Sequence, residues 1–433
     1  MNYWHMQLHQ DDDTDTQDKI YKILETEYIG LGDWEKGHNQ IAQFKNSMQK
    51  GDIVLIRHKG AVALVSIVGE YQHELSPDTD WFEHRRKIKI LSKYDTKFKL
   101  PKKLGSAYYP TTLQSCSKFT GDINNEKYTI GDYIQEWHKL IIKEEVKMKI
   151  KEKTKLLEYQ KQIILQGPPG TGKTRVAKQI AISMIDSSSK IETNDDIKNS
   201  FAKINKNQIK LIQFHPSYSY EDFVRGIIAT TTADGKSVKY ETQNKVLGQM
   251  AEEANKEINK DKKYILIIDE INRANLSSVL GELIYALEYR DEAVESMYEL
   301  EGSRKIILPS NLYIIGTMNT ADRSIGHIDY AIRRRFTFVD VLSNENNILS
   351  KFPKGKKLYD ETIKLFTNDY ISPEFNIEDI KIGHSYFIAK DAEELKNKLE
   401  YQVKPLLREY IKDGVLNENA REKVEELKFE SDS

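Results

Sequence analysis

The stretch from Ile163 to Thr174 constrains this chain more than any other. An apolar run, Ile163 to Leu165, leads into a glycine-rich loop that ends in Lys-Thr and opens a predicted helix at Arg175. In this G-x-x-x-x-G-K-[ST] pattern, backbone N–H groups curl round phosphates and the helix N-terminus adds partial positive charge. We therefore predict that the chain binds a nucleoside triphosphate. The predicted nucleotide-binding residues of the loop are Gly167, Pro168, Pro169, Gly170, Thr171, Gly172, Lys173 and Thr174.

The composition is typical of a soluble protein with more than one domain. The chain has 433 residues, of which 39% are hydrophobic and 30% charged, enough for two or three domains. Its net charge is −2, so nucleic-acid binding would need a local basic patch. The single cysteine, Cys116, excludes an intrachain disulfide framework and a Cys-cluster zinc site. No apolar run approaches the ~18 residues of a membrane span and no signal peptide is recognisable, so we expect a cytoplasmic protein.

A second predicted strand ends in two acids. Tyr264 to Ile268 is an uninterrupted apolar run, as a buried parallel strand requires, and Asp269 and Glu270 follow it. We predict that Asp269 and the hydroxyl of Thr174 hold Mg²⁺, and that Lys173 reaches the β- and γ-phosphates. Glu270 would polarise the attacking water as a general base. Two carboxylates at this point after a phosphate-binding loop are seldom structural.

Further polar residues follow the next strand and precede the last one. Leu312 to Met318 is a predicted strand, and the amide of Asn319 at its end could hold both the water and the γ-phosphate. Of three consecutive arginines, Arg334 and Arg335 are predicted to reach the γ-phosphate of a neighbouring subunit, a contact worth ~10³–10⁵ in rate. For Arg333, complementing the dipole of its own helix is the alternative interpretation.

In combination, these motifs resemble the McrB family, the GTP-hydrolysing AAA+ motors of modification-dependent type IV restriction systems. The matching segments are Gly167–Thr174, Phe214–Tyr218, Tyr220–Phe223, Asp269–Asn275, Met318–Ser324, Arg333–Phe336 and Gly383–Phe387. The resemblance implies an α/β fold, with a parallel sheet flanked by helices and a C-terminal helical lid. It also implies GTP (or ATP) and Mg²⁺, a homo-oligomeric ring that is a hexamer, methylated DNA and a separate McrC-like nuclease subunit. Asp322 becomes part of the nucleotide site by this resemblance.

The first hundred residues alternate short strands with one or two helices, which predicts a small curved sheet or half-barrel. Trp4, Ile29–Gly32, Gly51-Asp52 and Trp81–Ile88 resemble an EVE-like domain of the PUA superfamily. Such mixed α+β domains hold a flipped, modified base in an aromatic pocket. The candidate pocket residues are Trp4, Trp34 and Trp81, although core packing is the alternative for each. His84 to Lys87 either contacts phosphates or forms the solvated face of a strand.

We divide the chain into an EVE-like reader domain (1–140), a charged linker helix (141–160), an AAA+ core (161–345) and a helical lid with its tail (346–433). We find no nuclease site, because the isolated Glu-x-Lys strings lie in helical charge runs. Two alternatives stay open: an ATP-dependent, MoxR-like remodeller of protein complexes, and a nucleotide-gated reader of modified RNA. The chain lacks an Asn-Lys-x-Asp guanine motif, so the preference for GTP rests on the family resemblance alone.

Overall fold

The computed structural model describes residues 1–8, 17–32, 37–58, 60–74, 82–94, 112–116, 130–204, 207–231, 237–322 and 328–429. The chain divides into two compact units, Met1–Glu145 and Val146–Ser433, here called the N-terminal unit and the C-terminal unit. Among the described helices, none combines the length and the apolar character that crossing a membrane requires.

The N-terminal unit is built on one curled sheet. Its strands are β1 (Tyr3–Gln7), β2 (Tyr28–Leu31), β3 (Ile53–Arg57), β4 (Ala61–His73), β5 (His84–Lys93) and β6 (Leu113–Ser115). Their order is β2-β5-β4-β3-β1-β6, and only the β1–β3 pair is parallel. The register between β4 and β5 shifts at Leu64/Val65 and again between Ile67 and Tyr71, and such bulges bend and twist strands. The predicted half-barrel sheet is confirmed.

Side chains on the two faces of this sheet belong to two separate apolar cores. On one face, Trp4 and Met6 pack with helix α1 (Gln17–Glu25) and with a π-helical turn, Gln43–Ser47, that continues helix α2 (His38–Ala42). On the other face, Ile53 and Leu55 pack against Trp137 in the first part of helix α3 (Ile130–Gln160). Successive side chains of a strand point to opposite faces of the sheet. Both faces of this sheet are therefore covered by apolar packing.

The C-terminal unit contains a parallel sheet flanked by helices, as predicted. Its strands are β7 (Gln162–Gly167), β8 (Ile209–Gln213), β11 (Tyr264–Asp269), β14 (Leu312–Asn319) and β15 (Thr337–Asp340). Their order is β15-β7-β14-β11-β8, and every pair is parallel. β7, β14 and β11 are neighbours, so the glycine-rich loop, Asn319 and the acidic pair follow three adjacent strands. Open parallel sheets bind their ligands at this edge.

Two antiparallel hairpins interrupt this α/β core. They are β9 (Arg225–Thr231) with β10 (Val238–Asn244), and β12 (Ala293–Leu300) with β13 (Ser303–Ile307). The helices of the core are α4 (Lys173–Ile185), α5 (Asn194–Lys203), α6 (Tyr220–Phe223), α7 (Val246–Asn255), α8 (Leu276–Leu280), α9 (Leu283–Glu288) and α10 (Tyr330–Arg333). Arg225 is buried and donates to the carbonyl oxygen of Tyr298 at 3.0 Å, which ties the two hairpins together.

The chain ends in the predicted helical lid. Its helices are α11 (Glu345–Lys351), α12 (Gly355–Ile363), α13 (Ile377–Ile380), α14 (Ala392–Lys398), α15 (Lys404–Lys412) and α16 (Ala420–Glu426). A short 3₁₀ helix, His384–Phe387, precedes α14, and a π-helical turn, Leu399–Val403, joins α14 to α15. Leu395, Leu399, Val403 and Leu407 recur every four residues and are buried in one apolar cluster, so this stripe holds the lid together.

Candidate nucleotide-binding site

The glycine-rich loop joins the carboxyl end of β7 to the first turn of α4. Gly170 and Gly172 have φ angles of +77° and +86°, a left-handed conformation that glycine adopts at little cost. Lys173 is buried, and its Nζ donates to the carbonyl oxygens of Gly167 at 2.9 Å and Pro168 at 2.8 Å. Burial lowers the pKa of Lys173 to about 8, although Glu270 and Asp269 act in the opposite direction. The ammonium thus lies inside the loop that would cradle the phosphates.

Asp269 lies beside Thr174, as a shared magnesium site requires. The Thr174 hydroxyl donates to Oδ1 of Asp269 at 2.7 Å, and the hydroxyl of Thr317, on β14, donates to the same oxygen at 2.5 Å. A threonine hydroxyl and a carboxylate are hard oxygen ligands of the kind that Mg²⁺ prefers. Thr174 and Asp269 therefore fit the ion that was predicted for them.

Glu270 and Asn319 form the second polar pair of the site. Nδ2 of Asn319 donates to Oε1 of Glu270 at 2.6 Å, and the backbone N–H of Glu270 donates to the Thr317 hydroxyl at 3.2 Å. Glu270 has a φ of +52°, which costs a non-glycine residue about 1–3 kcal/mol. The hydrogen bond from Asn319 and the one that Glu270 donates to Thr317 hold this strained residue, so its carboxylate has a fixed position at the sheet edge.

Asp322 is linked to the same network through Arg273. Nε of Arg273 lies 3.4 Å from Oε2 of Glu270, and its terminal nitrogen lies 3.7 Å from Oδ2 of Asp322. Both distances exceed that of a strong charge-assisted hydrogen bond. Arg273 therefore bridges the two carboxylates loosely, and Asp322 lies at the rim of the site.

The structure separates the three consecutive arginines. The guanidinium of Arg333 lies 5.1 Å from the ring centroid of Phe338. Arg335 donates to the carbonyl oxygen of Ala331 at 2.9 Å and lies 3.1 Å from Oε2 of Glu288. Arg335 is thus bonded within its own subunit, whereas the sequence predicted a contact to a neighbour. Arg334 is exposed and is the member of the predicted pair that points outward.

The lid contacts the glycine-rich loop directly. The backbone N–H of Gly383 donates to the carbonyl oxygen of Pro169 at 2.8 Å, and that of Ser385 to Gly170 at 3.0 Å. A Cβ at position 383 would lie 1.9 Å from the carbonyl carbon of Gly170, and one at position 170 would lie 2.5 Å from the ring of Tyr386. Only glycine fits at either position, so the two segments are packed backbone against backbone.

A cavity of about 940 Å³ adjoins this contact. Its lining includes Lys153, Arg175, Asn347, Lys351 and His384. Burial and the charge of Arg175 lower the pKa of Lys351 to about 8. Burial, Lys351 and Arg175 lower the pKa of His384 to about 4, so its imidazole is neutral at pH 7. A polar cavity of this volume beside a phosphate loop has room for the sugar and base of a nucleotide.

Comparison with known families agrees with this geometry. Residues 162–336 match the AAA domain of the dynein-related subfamily, and residues 367–418 match the alpha-helical lid domain of McrB. The C-terminal unit thus contains an AAA domain followed by a lid of the McrB type. Residues 3–113 match a domain of unknown function, DUF8426, so the EVE-like identity of the N-terminal unit is not shown.

Two relatives belong to restriction enzymes. The EcoKMcrB subunit of the type IV methyl-directed restriction enzyme of Escherichia coli K12 is 35% identical over 281 residues, covering 60% of this chain and 56% of that protein. Component YdiS of the type II restriction enzyme BsuMI of Bacillus subtilis 168 is 38% identical over 89 residues, covering 17% and 26%. The chain thus spans about half the length of the first relative and about a quarter of the second. A solved structure from Cytophaga hutchinsonii aligns over 67% of this chain and 96% of its own length. The sequence identity is 13% and the TM-score is 0.29.

Two residues of this candidate nucleotide site escaped the sequence prediction. Thr317 orients both acids, and the signal for it was a threonine inside the apolar strand β14, where it is 2% exposed. Arg273 links Glu270 to Asp322, and the signal for it was a charged residue three positions after Glu270. Both act on groups that the sequence did predict, so we regard them as positioning residues.

The structure does not place Trp4 in the aromatic pocket that was predicted for the N-terminal unit. Trp4 is 2% exposed and belongs to the apolar core, and its Nε1 donates to Oδ2 of the buried Asp52 at 2.9 Å. A ring that stacks on a base needs an open face, so the prediction that Trp4 lines a pocket is wrong. Trp34 and Trp81 lie outside the described residues.

The basic strand His84–Lys87 is also largely structural. Nε and Nη2 of Arg86 donate to the carbonyl oxygens of Phe44 and Lys45, both at 2.9 Å. Arg85 forms an ion pair with Glu74 at 2.6 Å. Both guanidinium groups are buried and engaged within the unit, so neither arginine forms part of a solvated or phosphate-contacting face.

Proposed function

We propose that this chain is the GTP-hydrolysing motor of a modification-dependent restriction system. In this proposal it is a cytoplasmic protein that forms a hexameric ring, reads modified DNA through its N-terminal unit and drives a separate, McrC-like nuclease subunit. The observation that carries the proposal is the arrangement of two polar pairs, Thr174 with Asp269 and Asn319 with Glu270, at the edge of an McrB-family module.

The side chains of this site have distinct tasks in hydrolysis. Lys173, inside the loop, binds the β- and γ-phosphates, and Thr174 and Asp269 hold Mg²⁺, which when bound offsets the phosphate charge. Glu270 orients the attacking water and accepts its proton. Asn319 fixes the carboxylate of Glu270 through the 2.6 Å hydrogen bond and holds the water against the γ-phosphate. Hydrogen bonds with the Thr317 hydroxyl hold Asp269 and Glu270 in position before the reaction, so the two residues need not rearrange in the transition state.

A neighbouring subunit completes the site. The exposed side chain of Arg334 would contact the γ-phosphate bound to the next subunit in the ring, where such a residue stabilises the charge of the transition state. Arg335, tied to Glu288, would instead hold the arginine-bearing segment on its own subunit.

The proposed preference for guanine rests on the family resemblance, and one wall of the cavity is compatible with it. Guanine carries an N2–H₂ donor that adenine lacks. The carboxylate of Asp340 lines the cavity and already accepts a hydrogen bond from Nε2 of Gln166 at 2.8 Å. A carboxylate acceptor on this wall suits a base with additional donors.

The proposed reading of modified DNA rests on the EVE-like resemblance and on the Escherichia coli relative, which is named as a methyl-directed restriction enzyme. Because Trp4 is a core residue, a base pocket would have to use Trp34 and Trp81. Full-length protein should bind methylated duplex DNA more tightly than the unmodified duplex of the same sequence. Equal binding of both duplexes, or stronger binding of modified RNA, would contradict this part of the proposal.

The test of the motor itself is phosphate release with GTP and ATP side by side, with Lys173→Ala as the blank. Strong preference for GTP is the expected result. Hydrolysis of ATP with GTP at the level of the blank would overturn the GTPase proposal and favour the ATP-dependent, MoxR-like remodeller. Binding of GTP without turnover would place the stimulus for hydrolysis in the partner subunit.

A further inference from the structure

Three potential metal ligands meet at one end of the β4–β5 ribbon in the N-terminal unit. His73 is the last residue of β4, and His84, the first residue of β5, is its direct cross-strand partner. Glu83 precedes His84. One nitrogen or oxygen atom from each of these three side chains lies within 4.8 Å of the other two. Among the described residues, no other group of three histidine, cysteine or acidic side chains is gathered in this way.

The backbone fixes this grouping. The N–H of Glu74 donates to the carbonyl oxygen of Glu83 at 3.0 Å, which extends the pairing of the two strands by one residue. On its other side, His84 pairs with Leu31 of β2. The imidazole centroids of His73 and His84 are 4.9 Å apart. Two of the three candidate ligands are therefore held next to each other by strand pairing.

A neighbouring hydroxyl engages one ring nitrogen of His84. The hydroxyl of Tyr71, two residues before His73, lies 2.7 Å from Nδ1 of His84. Histidines that bind metals usually engage their second ring nitrogen in such a hydrogen bond, which fixes the tautomer and the ring orientation. With Nδ1 directed to Tyr71, Nε2 is the nitrogen that would bind an ion.

The donor set indicates the class of ion. Two imidazoles and one carboxylate suit zinc and similar divalent transition metals, whereas Mg²⁺ and Ca²⁺ prefer oxygen ligands alone. At metal–ligand distances of about 2.0–2.2 Å, tetrahedral ligand atoms lie roughly 3.4 Å apart. His73 is exposed and Glu83 is half-buried, so rotation of these two side chains can close the remaining gap onto the buried His84.

We infer that His73, Glu83 and His84 form a site for a zinc-type divalent metal ion. Three protein ligands leave the fourth tetrahedral position to water or another ligand. The ion would clamp the end of β4 to the start of β5 and so stabilise this edge of the N-terminal unit. Neither the nucleotide site nor the proposed function depends on this site.

The experiment is Zn²⁺ binding to the full-length, tag-free chain after treatment with a chelator, in excess Mg²⁺ to occupy the site at Asp269. Zinc content after desalting and the melting temperature are measured for the wild type, His73→Ala, Glu83→Gln and the control His38→Ala. His38 is an exposed histidine of the same unit, and truncating the exposed His73 should leave the fold intact.

We expect the wild type and His38→Ala to retain one zinc ion per chain and to melt at a higher temperature with zinc. His73→Ala and Glu83→Gln should lose the ion and the shift. Tyr71→Phe should weaken zinc binding by about 10–100-fold, as expected for a residue that supports a ligand. Zinc binding by His73→Ala that equals that of the wild type would overturn the inference, as would the absence of binding by the wild type.

Discussion

The two units differ in how their functional residues are encoded. In the C-terminal unit, a loop, an acidic pair and an amide that are far apart in sequence follow three adjacent parallel strands, and the structure brings them within hydrogen-bonding distance. In the N-terminal unit, Trp4, one of three tryptophans predicted to line a pocket, is a core residue held by Asp52. Phosphate chemistry requires fixed backbone geometry and fixed spacing, whereas an aromatic ring serves a core and a pocket equally well.

Substitution of Arg334 and Arg335 is expected to give the largest effects. Arg334→Ala should lower GTP turnover by about 10³-fold or more, because it removes a contact to the transition state. Arg335→Ala should leave turnover within a few-fold and lower the melting temperature, because it breaks the bonds to Glu288 and Ala331. Steady-state phosphate release and thermal melting of both variants decide the matter. A large loss of rate in Arg335→Ala with an unchanged melting temperature would show that both arginines act on the neighbour.

Glu270→Gln isolates the general base. The amide keeps the shape of the side chain but cannot accept a proton, so turnover should fall by about 10²–10⁴-fold. Binding of a fluorescent GTP analogue should be retained, because Lys173 and Thr174 are unchanged. Loss of nucleotide binding in parallel with turnover would mean that Glu270 is needed for the architecture of the site and not for proton transfer.

Gly383→Ala tests the contact between the lid and the phosphate loop. The new methyl group would lie 1.9 Å from a backbone atom of Gly170, and overpacking of this kind costs about 1–3 kcal/mol. Nucleotide affinity measured by titration should therefore fall about 5–150-fold. Gly60→Ala is the matched control, because a Cβ there would have no neighbour within 4 Å, and it should bind nucleotide like the wild type.

Trp4→Phe separates a core residue from a pocket wall. It removes the indole donor to the buried Asp52, and losing a hydrogen bond to a charged group costs about 1–3 kcal/mol. Chemical denaturation should show the N-terminal unit destabilised by this amount, with affinity for methylated DNA unchanged under conditions where the unit is folded. Unchanged stability with lost DNA binding would restore Trp4 to the pocket.

The pH dependence of nucleotide binding reports on Lys173. Its pKa of about 8 in the free protein is depressed by burial, and a bound phosphate favours the charged form and raises that pKa. Affinity should therefore be constant below pH 8 and decline above it, by at most about tenfold per pH unit. Isothermal titration in buffers of different ionisation enthalpy should show proton uptake on binding above pH 8. Affinity that is flat between pH 7 and 10 would mean that the lysine remains charged throughout.

These contrasts show which features the sequence could predict. The run Tyr264–Ile268 predicted a buried parallel strand because such strands are apolar throughout, and Gly170 was predictable because the phosphate loop needs its backbone conformation. Thr317 was not predicted, since its role depends on the register of β14 against β11. Arg335 could not be told from Arg334, because only the position of Glu288 distinguishes them. Trp4 was misassigned because its partner Asp52 is 48 residues away in sequence.

The most direct test of the account is to mix two inactive variants. Glu270→Gln subunits lack the base but carry Arg334, and Arg334→Ala subunits lack the arginine but carry Glu270. If each site is shared between neighbours, mixed rings contain some sites with both residues, so the mixture should recover GTP hydrolysis that neither variant shows alone. Activity of the mixture that equals the sum of the two variants, while mixed rings form, would contradict a site completed by Arg334 of the neighbouring subunit.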